Sequence, residues 1–75
     1  MQELIDYIAR SLVDDPTEVS VSVREIGREL RVELSVAEED MGRVIGRKGR
    51  VANAMRTLMR VISSRQGTRS SLDII

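Results

Sequence analysis

The chain predicts an α+β fold: a three-stranded sheet with three helices packed on one face, in the order helix, strand, strand, helix, helix, strand. Three observations carry that prediction. Apolar residues recur at three- and four-residue intervals through Leu4–Leu12 and again through Val51–Ile62. They alternate with polar residues in two neighbouring runs, Val19–Arg24 and Leu30–Val36. Between these regions a glycine-bracketed basic turn, Gly46-Arg47-Lys48-Gly49, opens the longer helical stretch.

With 75 residues and 41% hydrophobic content the chain is expected to form one domain spanning residues 1–75. A domain of that size buries only about 60% of its unfolded surface, so stability is modest and a partner chain would raise it. There is no cysteine to supply a disulfide or thiolate metal site, and no histidine. The first ten residues include Glu3 and Asp6 and hold no uninterrupted apolar run. That pattern argues against a signal peptide or membrane span and for a cytoplasmic protein.

Taken in order, Leu4, Ile5, Ile8 and Leu12 form a stripe that predicts an amphipathic helix over Gln2–Val13. Asp14-Asp15-Pro16 ends it, since proline cannot continue a helix and biases its predecessor toward extended backbone. Val19, Val21 and Val23 alternate with Ser20, Ser22 and Arg24 as in a half-buried strand. After Glu25-Ile26-Gly27-Arg28, Leu30, Val32, Leu34 and Val36 do the same, so the pair reads as a β-hairpin. A short helix is expected over Ala37–Val44. Its acidic first turn, Glu38, Glu39 and Asp40, suits the helix dipole; consecutive carboxylates point in different directions, so no metal is assigned to them.

Arg50–Arg65 is the longest predicted helix, with Val51, Met55, Leu58 and Ile62 along one line. Ala52, Ala54, Met59 and Val61 widen the apolar coverage to about half the circumference, more than the roughly 100° that docking on one sheet requires. Either the surplus meets another protein, through Met55, Met59, Val61 and Ile62, or Met59 and Val61 fill the edges of a small core. Gln66-Gly67-Thr68 stops the helix, and Arg69–Ile75 closes the chain as a third strand.

The zero net charge conceals a division. Met1–Asp40 holds 4 basic and 11 acidic residues, whereas Met41–Ile75 holds 8 and 1. A continuous positive potential over the second half suits a polyanion, although exposed charges paired between the halves would also account for it. Within that half, Gly42, Gly46 and Gly49 match neither the dinucleotide nor the nucleotide-phosphate loop, both of which follow a strand. The spacing is compatible with a ligand-free turn between helices. It is equally compatible with a cradle for a sugar-phosphate backbone, the glycines allowing close approach and the next helix presenting its amide groups.

Val44-Ile45-Gly46-Arg47-Lys48-Gly49 resembles the V-I-G-x-x-G signature of KH domains, and the element order is similar to the type II, bacterial form of that fold. Length, the Asp-Pro turn and the run Gly42–Arg50 resemble the small single-KH proteins of bacteria, the KhpA-like family. The resemblance implies a loop that clamps about four single-stranded nucleotides. Gly46 and Gly49 would admit the backbone, Arg47 and Lys48 would neutralise it with Arg43, Arg50 and Asn53 beside them, and Val44, Ile45 and the Leu30–Val36 strand would border an apolar groove for bases. Where many KH domains carry a large aliphatic, this chain has Ala52, and its single aromatic, Tyr7, offers no stacking platform. Binding is therefore expected to be weak and backbone-dominated.

The resemblance also implies self-association, or pairing with a Jag-type KH-containing RNA-binding protein, in RNA metabolism tied to cell elongation or division. No cofactor, small-molecule substrate or membrane partner is expected. The residues for nucleophilic or acid–base catalysis are missing, which argues against an enzyme. The reading is a sequence-tolerant single-stranded RNA binder; a protein-interaction adaptor and a single-stranded DNA binder are the alternatives.

Overall fold

The computed structural model describes all of residues 1–75. Helix α1 covers Gln2–Leu12, strands β1 and β2 cover Ser20–Ile26 and Glu29–Ser35, and helices α2 and α3 cover Met41–Ile45 and Arg50–Arg65. Strand β3, Arg69–Ile74, ends the sequence of elements. The sheet order is β1-β2-β3, with β1 and β2 antiparallel and β2 and β3 parallel. The expected α+β architecture is present, and the parallel pair places both intervening helices in one crossover on the core face.

The hairpin is tighter than the expected four-residue break. Ile26 pairs with Glu29, so β1 runs to the end and the turn is Gly27-Arg28 alone. Val32 and Leu34 on the central strand are buried against Ile5 and Ala9 of α1, Val44 of α2, Met55 and Met59 of α3 and Leu72 of β3. Outward positions Ser22, Arg24, Arg31, Ser71 and Asp73 are exposed. On β1, whose far edge is unpaired, the Gln2 side-chain amide donates to the Val21 carbonyl at 2.9 Å.

Two helical stripes are rotated from the expected ones. In α1 the buried positions are Ile5 and Ala9, while Leu12 is exposed. In α3 they are Ala52, Met55, Met59 and Ser63, not Val51-Met55-Leu58-Ile62. Met55 and Met59 are the members of that buried stripe that join the core cluster with Val32, Leu34 and Leu72. The Ser63 hydroxyl is satisfied by the Arg60 carbonyl at 3.3 Å and the Ser70 hydroxyl at 3.1 Å.

The acidic segment does not open one helix over Ala37–Val44. Glu38–Asp40 makes a short 3₁₀ turn before α2. Asp40 is buried, and its two carboxylate oxygens accept the backbone N–H groups of Asp14 and Asp15 at 3.2 and 3.1 Å. Its role is to tie the segment after α1 to the start of α2, a tertiary contact rather than a dipole effect.

Candidate nucleic-acid interface

The basic turn joins α2 to α3, as its sequence context predicts. Val44 is fully buried and pins the end of α2 to the core. Gly46 then leaves the helix with φ +79° and ψ 168°, its N–H donating to the Gly42 carbonyl at 2.9 Å. That backbone region is open essentially to glycine alone. A Cβ at this position would also stand 2.5 Å from Val51 Cγ2 and 2.7 Å from Val51 N. Gly46 is therefore required on two counts.

Gly49 closes the turn, donating to the Gly46 carbonyl at 3.1 Å with φ +74°. Here a Cβ would meet no obstacle, making only an ordinary van der Waals contact with Asn53 Nδ2 at 3.8 Å. Between the glycines, Lys48 adopts φ 56° and ψ 25°, a left-handed conformation costing an L-residue roughly 1–2 kcal/mol. Its ammonium group and the guanidinium groups of Arg47 and Arg50 are exposed, and none forms an ion pair. The result is a surface loop with two partly exposed glycines and three uncompensated positive charges.

Asn53, one turn into α3, stands beside that loop. Its Oδ1 accepts from Arg56 at 3.2 Å, and the same guanidinium donates to the Leu72 carbonyl at 3.1 Å. Arg56 thereby fixes the Asn53 amide with its NH₂ end toward Gly49. The expected site omitted Arg56; its position three residues after Asn53 and the proximity of β3 reveal it only in the fold.

Several expected contact residues lie elsewhere. The Val44 side chain has no exposed surface, and Val32, Leu34 and Val36 are buried too, so none of them borders an open groove; Ile45 is the exposed aliphatic at the loop. Arg43 turns away to pair with Asp14 at 2.8 Å and Asp40 at 3.5 Å, which occupies its charge in joining α2 to the segment after α1. Met55 and Met59, expected on a partner-facing surface, belong to the core instead. The exposed apolar line is Ala54, Leu58 and Val61, with Leu58 and Val61 about half exposed and Ile62 partly covered. No three acidic side chains come together as a potential metal site, and no helix is long and apolar enough to cross a membrane.

Residues 2–74 match the family described as KhpA/KhpB, KH domain. The chain belongs to that family. It is 45% identical over 75 residues to the RNA-binding protein KhpA of Halalkalibacterium halodurans, covering 100% of this chain and 99% of that one. The same identity and coverage hold for the protein of that name from Listeria monocytogenes, and the Treponema pallidum one is 49% identical, over 99% of this chain and 92% of its own. These relatives are named as RNA-binding proteins, not as enzymes. Among solved structures, the fold is similar to part of Aquifex aeolicus Era bound to GDP.AlF4- (TM-score 0.67, 20% identity). It is also similar to Era in complex with MgGDPNP and nucleotides 1506–1542 of 16S ribosomal RNA (TM-score 0.58, 23% identity). Each alignment covers 97% of this chain and 28% of the Era chain, so the likeness concerns the KH fold alone.

Proposed function

We propose that this KH domain, a single domain over residues 1–75, binds single-stranded RNA by clamping its backbone at Gly46–Arg50. The observation that carries this reading is the set of three unpaired, exposed cations, Arg47, Lys48 and Arg50, around a turn whose two glycines are partly exposed. The names of the full-length relatives support RNA as the polyanion. Gly49 leaves room for a sugar-phosphate to approach, Arg47 and Lys48 neutralise adjacent phosphates, and the Asn53 amide offers a donor beside them. With no aromatic platform and no exposed groove lining beyond Ile45, base recognition is slight.

Fluorescence anisotropy with single-stranded RNA across a salt series tests this. The log–log slope should be roughly −0.7 per phosphate neutralised. The double variant Arg47→Asp/Lys48→Asp should lose nearly all binding while keeping its circular dichroism spectrum. Wild-type affinity in that variant would end the reading, and competition with a matched DNA oligonucleotide separates RNA from DNA as the preferred strand.

A second reading rests on the exposed line Ala54, Leu58 and Val61. Through it the domain would self-associate or pair with a Jag-type KH-containing protein, in the RNA metabolism behind cell elongation or division. A charge placed in that apolar line, Val61→Glu, distinguishes the roles: an adaptor loses its assembly in sedimentation, whereas the RNA clamp of the isolated domain keeps its affinity.

A further inference from the structure

At the far end of α3 from the glycine loop lies an open cleft of about 640 Å³ with no hydrophobic side chain in its lining. Its walls carry Arg28, Arg60 and Arg69, with Ser63, Thr68 and Ser70 between them. The three arginines come from three segments: the β1–β2 turn, the second half of α3 and the first residue of β3. Hydrogen bonds hold those segments together. Arg69 N–H donates to the Arg28 carbonyl at 2.7 Å, Thr68 N–H and Oγ1 both donate to the Ser63 carbonyl at 2.9 and 3.1 Å, and the Ser63 and Ser70 hydroxyls meet at 3.1 Å.

None of the three guanidinium groups is paired with a carboxylate. Glu29 lies opposite Arg69 in the β2–β3 register, but its carboxylate is engaged by Arg31 at 3.4 Å. The C-terminal end of α3 also faces this region, and its dipole disfavours an anion. That opposing effect is about half a charge, against three full positive charges, and the carbonyls of Ser63 and Ser64 are already taken by the N–H groups of Gln66, Gly67 and Thr68. Forked guanidinium donors beside hydroxyl groups suit a phosphate.

The cleft is also connected to the loop. Asn53, Arg56 and Arg60 recur at i, i+3 and i+7, one edge of α3, and the Arg56 bond to the Leu72 carbonyl places that edge beside β3. From Arg50 to Arg60 the helix rises about 15 Å, the length of roughly four to five stacked nucleotides at 3.4 Å each.

We propose that this cleft is a second phosphate site for the same RNA strand, so that the domain holds RNA at both ends of α3. The proposal rests on the RNA-binding reading of the glycine loop and extends its footprint. Its test compares a single-stranded RNA of about four nucleotides, the length a loop of this kind clamps, with one of about twelve, within the range of other single-strand sites. Wild type should bind the longer RNA at least tenfold more tightly, with a salt slope steeper by about 1.4, the contribution of two phosphates. Arg28→Ser/Arg69→Ser should bind the short RNA as wild type does and lose the gain in both affinity and slope. Arg28→Lys/Arg69→Lys should retain most of the slope, and Arg47→Asp/Lys48→Asp should lose both RNAs.

Equal affinity of wild type for both lengths, or an unchanged gain in the serine variant, would overturn the second site and leave the loop reading intact. Failure of wild type to bind either RNA would overturn both. Displacement of the longer RNA from the cleft by polyglutamate of matched charge, as effectively as by unlabelled RNA, would overturn it in favour of an acidic protein segment.

Discussion

At the scale of single residues, the two loop glycines are needed for different reasons. Gly46 faces Val51 at a separation no Cβ tolerates, in a backbone region closed to other residues. Gly49 has room for a Cβ, in ordinary contact with Asn53, and only a left-handed φ. Gly46→Ala should therefore cost more than the roughly 1–3 kcal/mol of a strained residue, because the start of α3 must also shift, whereas Gly49→Ala should cost about 1 kcal/mol. Thermal denaturation of the two variants gives the ranking, and equal losses would contradict the packing described around Val51. Asp40 offers a second case. Removing its carboxylate in Asp40→Ala leaves the Asp14 and Asp15 amides without acceptors, worth about 1–3 kcal/mol for a buried group, and Asp40→Asn should lose less because one oxygen remains. Urea unfolding measures both. The sequence shows Asp40 only as one of three consecutive acids; which one turns inward depends on where the segment after α1 lands, a contact 25 and 26 residues away in the chain.

At the scale of elements, α3 has correct bounds from its periodicity, Arg50–Arg65, but its core stripe is turned. Met59, Leu58 and Val61 look interchangeable as apolar residues, and hydropathy favours large aliphatics for the core. Packing selects differently. The face of α3 turned inward carries Ala52, Met55, Met59 and Ser63, and Leu58 lies outside it. A pair of truncations reports this directly: Met59→Ala should cost about 2–5 kcal/mol as a buried deletion, while Leu58→Ala should change stability by no more than about 0.5 kcal/mol. The loop itself was legible because its chemistry is local, two glycines and two cations at fixed spacing. The groove was not, since burial of Val32, Leu34 and Val44 depends on how three helices share one small sheet.

Over the whole molecule, the sequence division into an acidic and a basic half is only partly preserved in space. Arg43 leaves the basic half to meet Asp14 and Asp40, and Arg28, surrounded by acids in sequence, joins Arg60 and Arg69 at the far end of α3. Only the hairpin turn brings it there, which is why counting charges along the chain misses it. A core of 11 buried apolar residues is small, and covering Leu58 and Val61 in an assembly would add to it by mass action. The expected result is a melting temperature that rises with protein concentration in wild type and is independent of concentration in Val61→Glu, as differential scanning calorimetry over a wide dilution range would record.

The parallel pairing of β2 with β3 has a consequence for how the chain is made. During synthesis the hairpin partner of β2 precedes it, but its other neighbour emerges only after both crossover helices. Throughout that interval a strand carrying Val32 and Leu34 presents one row of unpaired backbone groups, the arrangement through which nascent chains adhere to one another. Packing of α3 covers the apolar face of that strand but not its edge. Only β3 closes that edge, so the central strand stays open to pairing until β3 has been made.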